Sequence, residues 1–239
     1  MNWKPLLLIV TLFLLRELGG QAIIFSYAFY IFQSTGVPFD EFTCTIFVGA
    51  IRLIFSLIGA VLIDRIGRRS LYISCLFIYF LAMAVAGLGF WVIQYEEIHN
   101  WVVLVCVLLS VLAYGVGVGP VPWILLGELL PLPVRPLCTG ISVTLFEISS
   151  FSVLFVFPTI QSYGMEVCFI IFAVSTLITI IIAWKYLPET RGKTLIDLEK
   201  VFSSNSKNDS KSAPLPPVIS KEQVTEKGID NEMFYSNED

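Results

Sequence analysis

Six apolar stretches run through residues 5 to 187, at about 5–32, 42–63, 71–93, 101–127, 137–160 and 165–187. A helix needs about 20 mainly apolar residues to cross the hydrocarbon of a bilayer, and each stretch meets that length. The polar positions between them are few and confined to short connections. This pattern predicts an all-α polytopic membrane protein, with a six-helix transmembrane half-bundle over residues 1–195 and a polar cytoplasmic tail over 196–239. Composition removes the main competitor. With 56% hydrophobic residues and a mean hydropathy of +0.81, too little polar surface remains for a soluble helical protein. The first stretch is too long for a signal peptide and has no small-residue cleavage pattern, so it reads as a first span.

Charge orients the spans. Lys4 precedes the first; Arg65, Arg68 and Arg69 follow the second; Arg135 follows the fourth; Lys185, Arg191 and Lys193 follow the sixth. The alternate connections hold Asp40 and Glu41, then Glu96, Glu97 and His99, then Glu166, with no Lys or Arg. The positive-inside rule then puts both termini in the cytoplasm. The tail, with Pro214, Pro216 and Pro217 among Ser, Asn, Asp, Glu and Lys, cannot bury enough apolar surface to offset its ordering entropy and is expected to be disordered. It also supplies much of the net charge of −4.

Catalytic chemistry finds little support. Cys44, Cys75, Cys106, Cys138 and Cys168 lie singly in or beside apolar segments, which reads as packed, reduced thiols. No metal site, cofactor loop, nucleophile–base pair or nucleic-acid partner is expected, and the glycines before Pro120 precede no Lys or Ser/Thr of a phosphate loop.

Three motifs lie where the spans meet water. Asp64-Arg65-Ile66-Gly67-Arg68-Arg69 makes a tight connection, with an acid beside a basic cluster and a glycine for the turn. Gly117-Val118-Gly119-Pro120-Val121-Pro122-Trp123, followed by Glu128, Pro131 and Arg135, puts two prolines inside an apolar span. Each removes a backbone donor, so the helix is expected to break around Gly117, Gly119, Pro120 and Pro122, a feature tolerated where it is buried or lines a cavity. Pro188-Glu189-Thr190-Arg191-Gly192-Lys193-Thr194-Leu195 follows the last span.

In this order and spacing the motifs resemble the seventh to twelfth helices of sugar porters of the major facilitator superfamily, most like the insect facilitated trehalose transporters. The matching signatures are D-R-x-G-R-R, then G-P-x-P-W with a following E and R, then P-E-T-x-G-x-x-L. The resemblance covers about residues 5–195. It implies the C-terminal half of a major facilitator bundle that carries a hexose or trehalose-like sugar by alternating access, as a facilitator in the plasma membrane. Asp64, Arg65, Arg68, Arg69, Glu128, Arg135, Glu189 and Arg191 would then form an inner salt-bridge network, and Trp123 would face the sugar. The family has two six-helix halves, so an N-terminal half or another family chain is expected as partner, and an incomplete or truncated product is the favoured account of this sequence.

The departures concern the sugar ligands. Where the family's seventh helix carries a Gln-Gln pair and a later Asn, this chain has Arg16-Glu17 and Ala22, with Gln21 about 100° away on a continuous helix. The eighth helix has Arg52 in place of Asn, the eleventh has Phe146-Glu147 in place of Asn-Trp, and Gly115 replaces a frequent Glu. Arg52 shares a stripe with Thr45, Gly49, Ser56 and Gly59; Glu147 with Gly140, Thr144 and Ser150; Arg16 with Gly20, Tyr27 and Tyr30. These faces are expected to point into a bundle. Each intramembrane charge costs about 2.5–3.5 kcal/mol on insertion scales, so Arg16, Glu17, Arg52 and Glu147 need partners. A mutually compensating structural cluster, a site for a charged substrate or its gate, and a chain that no longer transports all stay open, and with them a non-transporting sensor or partner as the alternative function.

Overall fold

Two adjacent glycines interrupt the first apolar stretch, and much of the packing follows from them. The computed structural model describes residues 3–35, 40–93, 100–130, 132 and 134–189. The expected span at 5–32 is three helices: α1 (Lys4–Leu18), α2 (Gln21–Ser26) and α3 (Ala28–Thr35). Gly20 has φ 84°, in the left-handed region where glycine carries no penalty. A Cβ there would also sit 2.5 Å from the Phe172 ring. Such a break strands backbone carbonyls, which in hydrocarbon costs several kcal/mol each unless they are satisfied. Here the Tyr79 hydroxyl donates to the Gly19 carbonyl at 2.7 Å, and the Ser175 hydroxyl adds a second donor, at 3.2 Å, to the Leu15 carbonyl that already accepts from the Gly19 amide. The single-span expectation failed because apolar length counts residues and does not register a change of backbone phase.

The remaining stretches form α4 (Glu41–Ile66), α5 (Arg68–Ile93), α6 (Asn100–Ala113), α7 (Pro120–Leu129), α8 (Arg135–Gln161) and α9 (Met165–Tyr186). Among the described residues five helical segments are long and apolar enough to cross a membrane, with α6 and α7 counted as one. Gly67 alone, at φ 105°, separates α4 from α5. Between α6 and α7 the chain makes a π-helical turn, Tyr114–Val118, closed by a bond from the Gly119 amide to the Tyr114 carbonyl at 2.8 Å.

The break therefore lies upstream of where the prolines suggest. Pro120 opens α7 and Pro122 falls in its first turn, where amide donors have no intrahelical partner to lose. Gly117 and Gly119 belong to the irregular stretch, and a Cβ on Gly117 would lie 2.7 Å from the Cys75 sulfur.

Phe13, Ile24, Tyr72, Tyr79, Met83 and Phe169 are among the most deeply buried side chains, in a core built by α1, α2, α5 and α9 with the π turn. Of the apolar windows in α4 and α8, only 17% and 11% lie inside, so these two helices present Leu53, Leu57, Phe151 and Phe155 outward. α4 nevertheless approaches the π turn backbone to backbone. A Cβ on Gly59 would fall 2.4 Å from the Val116 carbonyl, and one on Gly115 would be 3.3 Å from that of Arg52. The same contact accounts for Gly115 where a larger residue would hold the helices apart. The loop with Glu96, Glu97 and His99, Pro131, Arg191 and the rest of the third motif beyond Glu189, and the 196–239 tail lie outside the described residues.

Gly59 and Gly49 give a paired test on one helix, because a Cβ on Gly49 meets nothing within 4 Å. Gly→Ala in a helix gains about 0.5–1 kcal/mol of propensity, while overpacking costs about 1–3 kcal/mol. Gly49→Ala should hold or raise the melting temperature in detergent and Gly59→Ala should lower it. Equal responses in thermal scans would mean that the α4–π contact is loose.

Candidate functional site

Arg16, near the end of α1, is 7% exposed, and its head is met from several directions. The guanidinium donates to the Tyr114 hydroxyl and, at 3.4 Å, to the carbonyl of Gly119. Its Nε lies 3.7 Å from the carboxylate of Glu17, which is 3% exposed. Its central carbon stands 5.2 Å from the Tyr114 ring centroid and 5.3 Å from that of Phe146. The neighbouring carboxylate, the polarised carbonyl and the aromatic faces together replace the water that the charge has lost. Glu17 in turn faces the Ser150 hydroxyl and lies in the field of Glu147, both on α8.

The other two charges differ in burial. Arg52 and Glu147 are exposed on α4 and α8, and so are Gly49, Ser56, Gly140 and Thr144 on their stripes. Within the described helices Gly59 is buried against the π turn, while Arg52 and Glu147 lie on the open side of α4 and α8. The Arg16 stripe is likewise cut, by Gly20 and again at Tyr27, leaving Arg16 buried and Tyr30 55% exposed. Arg52 rests on aromatic rings, 4.1 Å from the Phe25 centroid and 5.8 Å from that of Tyr114.

Trp123 belongs to the same surface. It packs edge-on to Phe13 at 4.9 Å and to Phe146 at 5.5 Å, and 40% of it stays exposed. Phe13 and Phe146 are 5.4 Å apart, and Phe25 meets Tyr114 at 5.5 Å. An aromatic band thus runs from Trp123 through Phe146, Arg16 and Tyr114 to Arg52. Chemically it offers ring faces for stacking, an open guanidinium and an open carboxylate.

Sequence reasoning missed Tyr114, the hydroxyl and ring on which both arginines converge. A tyrosine at the start of a Gly-x-Gly stretch inside an apolar span was the available signal. It also placed Gln21 by assuming an unbroken helix. The residue follows the break, is 2% exposed, and sits beside the Tyr79 hydroxyl without a well-formed bond to its own amide.

The motif residues gather at the other end of the helices. Arg68 is the hub: its Nη2 lies 3.1 Å from Glu128 and 3.5 Å from Asp64. The Arg68 amide, at the start of α5, donates to Glu189 at 3.1 Å, a carboxylate at a helix N-terminus. Arg69 donates to the Trp184 carbonyl at 2.6 Å, and Arg135 caps the Leu130 carbonyl beyond α7 through Nε and Nη2 at 3.2 and 3.0 Å. Residues of all three motifs therefore meet, through Arg68, Glu128 and Glu189.

Residues 1–202 match the family model for "Sugar (and other) transporter". The chain belongs to that family. Among curated relatives it is 31% identical over 221 residues to the facilitated trehalose transporter Tret1 of Culex quinquefasciatus, covering 91% of this chain and 43% of that one. It is 28% identical to trehalose transporter 1 of Drosophila melanogaster, covering 91% and 26%. The inward-open structure of the xylose transporter XylE from E. coli superposes with a TM-score of 0.72 at 27% identity, over 84% of this chain and 42% of that one. XylE bound to 6-bromo-6-deoxy-D-glucose, described as a major facilitator superfamily proton:xylose symporter, gives 0.70. The chain spans less than half the length of the curated relatives it matches. Its fold is part of a major facilitator bundle, an integral membrane architecture, and the relatives are transporters rather than enzymes.

Because Arg16 and Glu17 are both buried and adjacent, removing both should cost less than the two single losses added together. Glu17→Gln should destabilise the protein by about 3–5 kcal/mol, and the Arg16→Met/Glu17→Met double variant by less than the sum of the single changes. A double-mutant cycle on detergent-solubilised protein measures this, and additive losses would mean the two charges are uncoupled.

Proposed function

We propose that this chain forms one six-helix half of a sugar facilitator and supplies one wall of its substrate path. The observation that carries the reading is the aromatic and charged face at mid-span on α1, α4, α7 and α8, left open beside a buried ion pair in a chain of the sugar transporter family. Sugar rings present apolar C–H faces that stack on aromatics, and hydroxyls that bond to charged side chains. Trp123 takes the first role, and Arg52 and Glu147 the second, with Arg16 and Glu17 holding the wall in shape.

A second six-helix half covers the outward apolar faces of α4 and α8, and the path alternates as the two halves rock. Basic residues at the ends of α4 and α9 and at the starts of α5 and α8 face the cytoplasm, with both termini, and the membrane is the plasma membrane. At that surface Arg68 ties Asp64, Glu128 and Glu189 into a latch that favours one of the two states.

Uptake of labelled trehalose and glucose into oocytes, with this chain expressed alone and with a six-helix half from a trehalose transporter, tests the reading. Saturable uptake is expected in the combination, with Trp123→Ala lowering it about tenfold or more at equal surface amount. Absence of uptake of any neutral or acidic sugar in every combination, with both chains at the surface, rules the transport reading out.

The latch makes a separate claim. Glu128 is 29% exposed and Asp64 77%, so the exposed Asp64 pair is worth little and the Glu128 pair more. Arg68→Ala should change the initial rate about 5–30-fold, the factor given by one or two kcal/mol on a two-state equilibrium. Asp64→Asn should stay within about twofold. Equal effects of the two substitutions on initial rates would refute Arg68 as the hub.

A further inference from the structure

We infer that Arg52 receives a carboxylate, so that the substrate class of this site is a sugar acid rather than a neutral sugar. The inference rests on the transport reading and narrows it.

Arg52 stands at the middle of α4, eleven residues from Glu41 and fourteen from Ile66. At about 1.5 Å of rise per residue, that puts it some 15–20 Å from either end, deep in the span. A guanidinium at that depth is not left against lipid; on the transport reading it faces the substrate path. Among the described residues no carboxylate lies within ion-pair distance of it and no acceptor takes a hydrogen bond from it. What it has is aromatic support: the Phe25 ring at 4.1 Å and the Tyr114 ring at 5.8 Å. Rings beneath a guanidinium hold its plane and leave the in-plane N–H donors free, which is the arrangement that fits a bidentate carboxylate.

The distribution of the other charges points the same way. Arg16 is already engaged by Glu17, whose carboxylate lies in the field of Glu147, so two carboxylates and one committed cation stand on the α1–α8 side. On the α4 side Arg52 serves none. The wall is therefore polarised, positive at α4 and negative at α8. A sugar acid matches both ends: its carboxylate accepts from Arg52, its hydroxyls donate to the exposed Glu147, and its ring lies along the band that ends at Trp123. A phosphate fits less well, because its second negative charge would call for a second free cation and Arg16 is committed.

Initial uptake of labelled glucuronate and glucose is to be compared for the wild type and Arg52→Asn, in the transport-competent assembly, with surface amounts measured by biotinylation. The wild type should prefer glucuronate by about tenfold or more, and Arg52→Asn should lose that preference. Glucose uptake without glucuronate uptake by the wild type overturns the inference and leaves sugar transport standing. Uptake of neither overturns the inference together with the transport reading. Glucuronate uptake undiminished in Arg52→Asn also overturns it. Should that variant fail to reach the surface, competition decides on the wild type alone. Glucuronate should inhibit uptake and its neutral amide should not, and equal inhibition by the two overturns the inference.

Discussion

Arg16 fastens together the two places where this fold departs from straight helices. One is the glycine break after α1 and the other is the π turn before α7. Both expose backbone groups in a medium that offers no water to satisfy them. Arg16 sits at the end of the first and donates to the Tyr114 hydroxyl and the Gly119 carbonyl of the second. A neutral residue at this position would remove the polar tie between the two irregular segments and leave the Phe25–Tyr114 ring contact. The charge is tolerated because Glu17 and two aromatic rings surround it, and the result is a face whose shape is fixed by contacts within this chain.

The glycines do the complementary work by allowing approach. α4 reaches the π turn through Gly59, where a side chain would strike the Val116 backbone, and through Gly115, where a side chain would press on Arg52 and Phe55. That approach brings Arg52 over Phe25 and within reach of the Tyr114 ring. The position of Arg52 is thus set by a contact that contains no charge at all. Close packing of small residues is the usual means by which membrane helices associate when lipid is as apolar as the side chains.

Much of this was legible in the sequence, for reasons that can be assigned. Apolar length gave five helical segments directly, because the hydrocarbon thickness enforces a minimum run. The family followed from three short motifs in order. Arg16, Glu17, Arg52 and Glu147 stood out because charge is rare at that depth. Position along a span was readable; phase around it was not. The left-handed turn at Gly20 and the i→i−5 bond at Gly119 each rotate everything that follows, so stripes drawn on ideal helices misplaced Gln21 and split Arg16 from Tyr30. The outward position of Arg52 and Glu147 escaped for another reason. Small and polar residues mark a face that avoids lipid, and that face can belong to a core or to an open cavity.

On the proposed transport reading, the distinction between those two kinds of face bears on how a rocking transporter handles intramembrane charge. A charge that must stay satisfied while two halves move has to find its partner within its own half, since any bond across the moving gap is broken once per cycle. Arg16 and Glu17 are neighbours in sequence on one helix and are buried in the same half, so their pairing is independent of the motion. Arg52 and Glu147 stand on α4 and α8, the two helices that turn most of their surface outward, and are supported mainly from beneath. Their free edges can then exchange partners between states, with water, with substrate or with the facing half, without disturbing the wall that carries them. The four charges are therefore divided by mechanical role: the pair that holds the structure is enclosed, and the pair able to meet a substrate lies open.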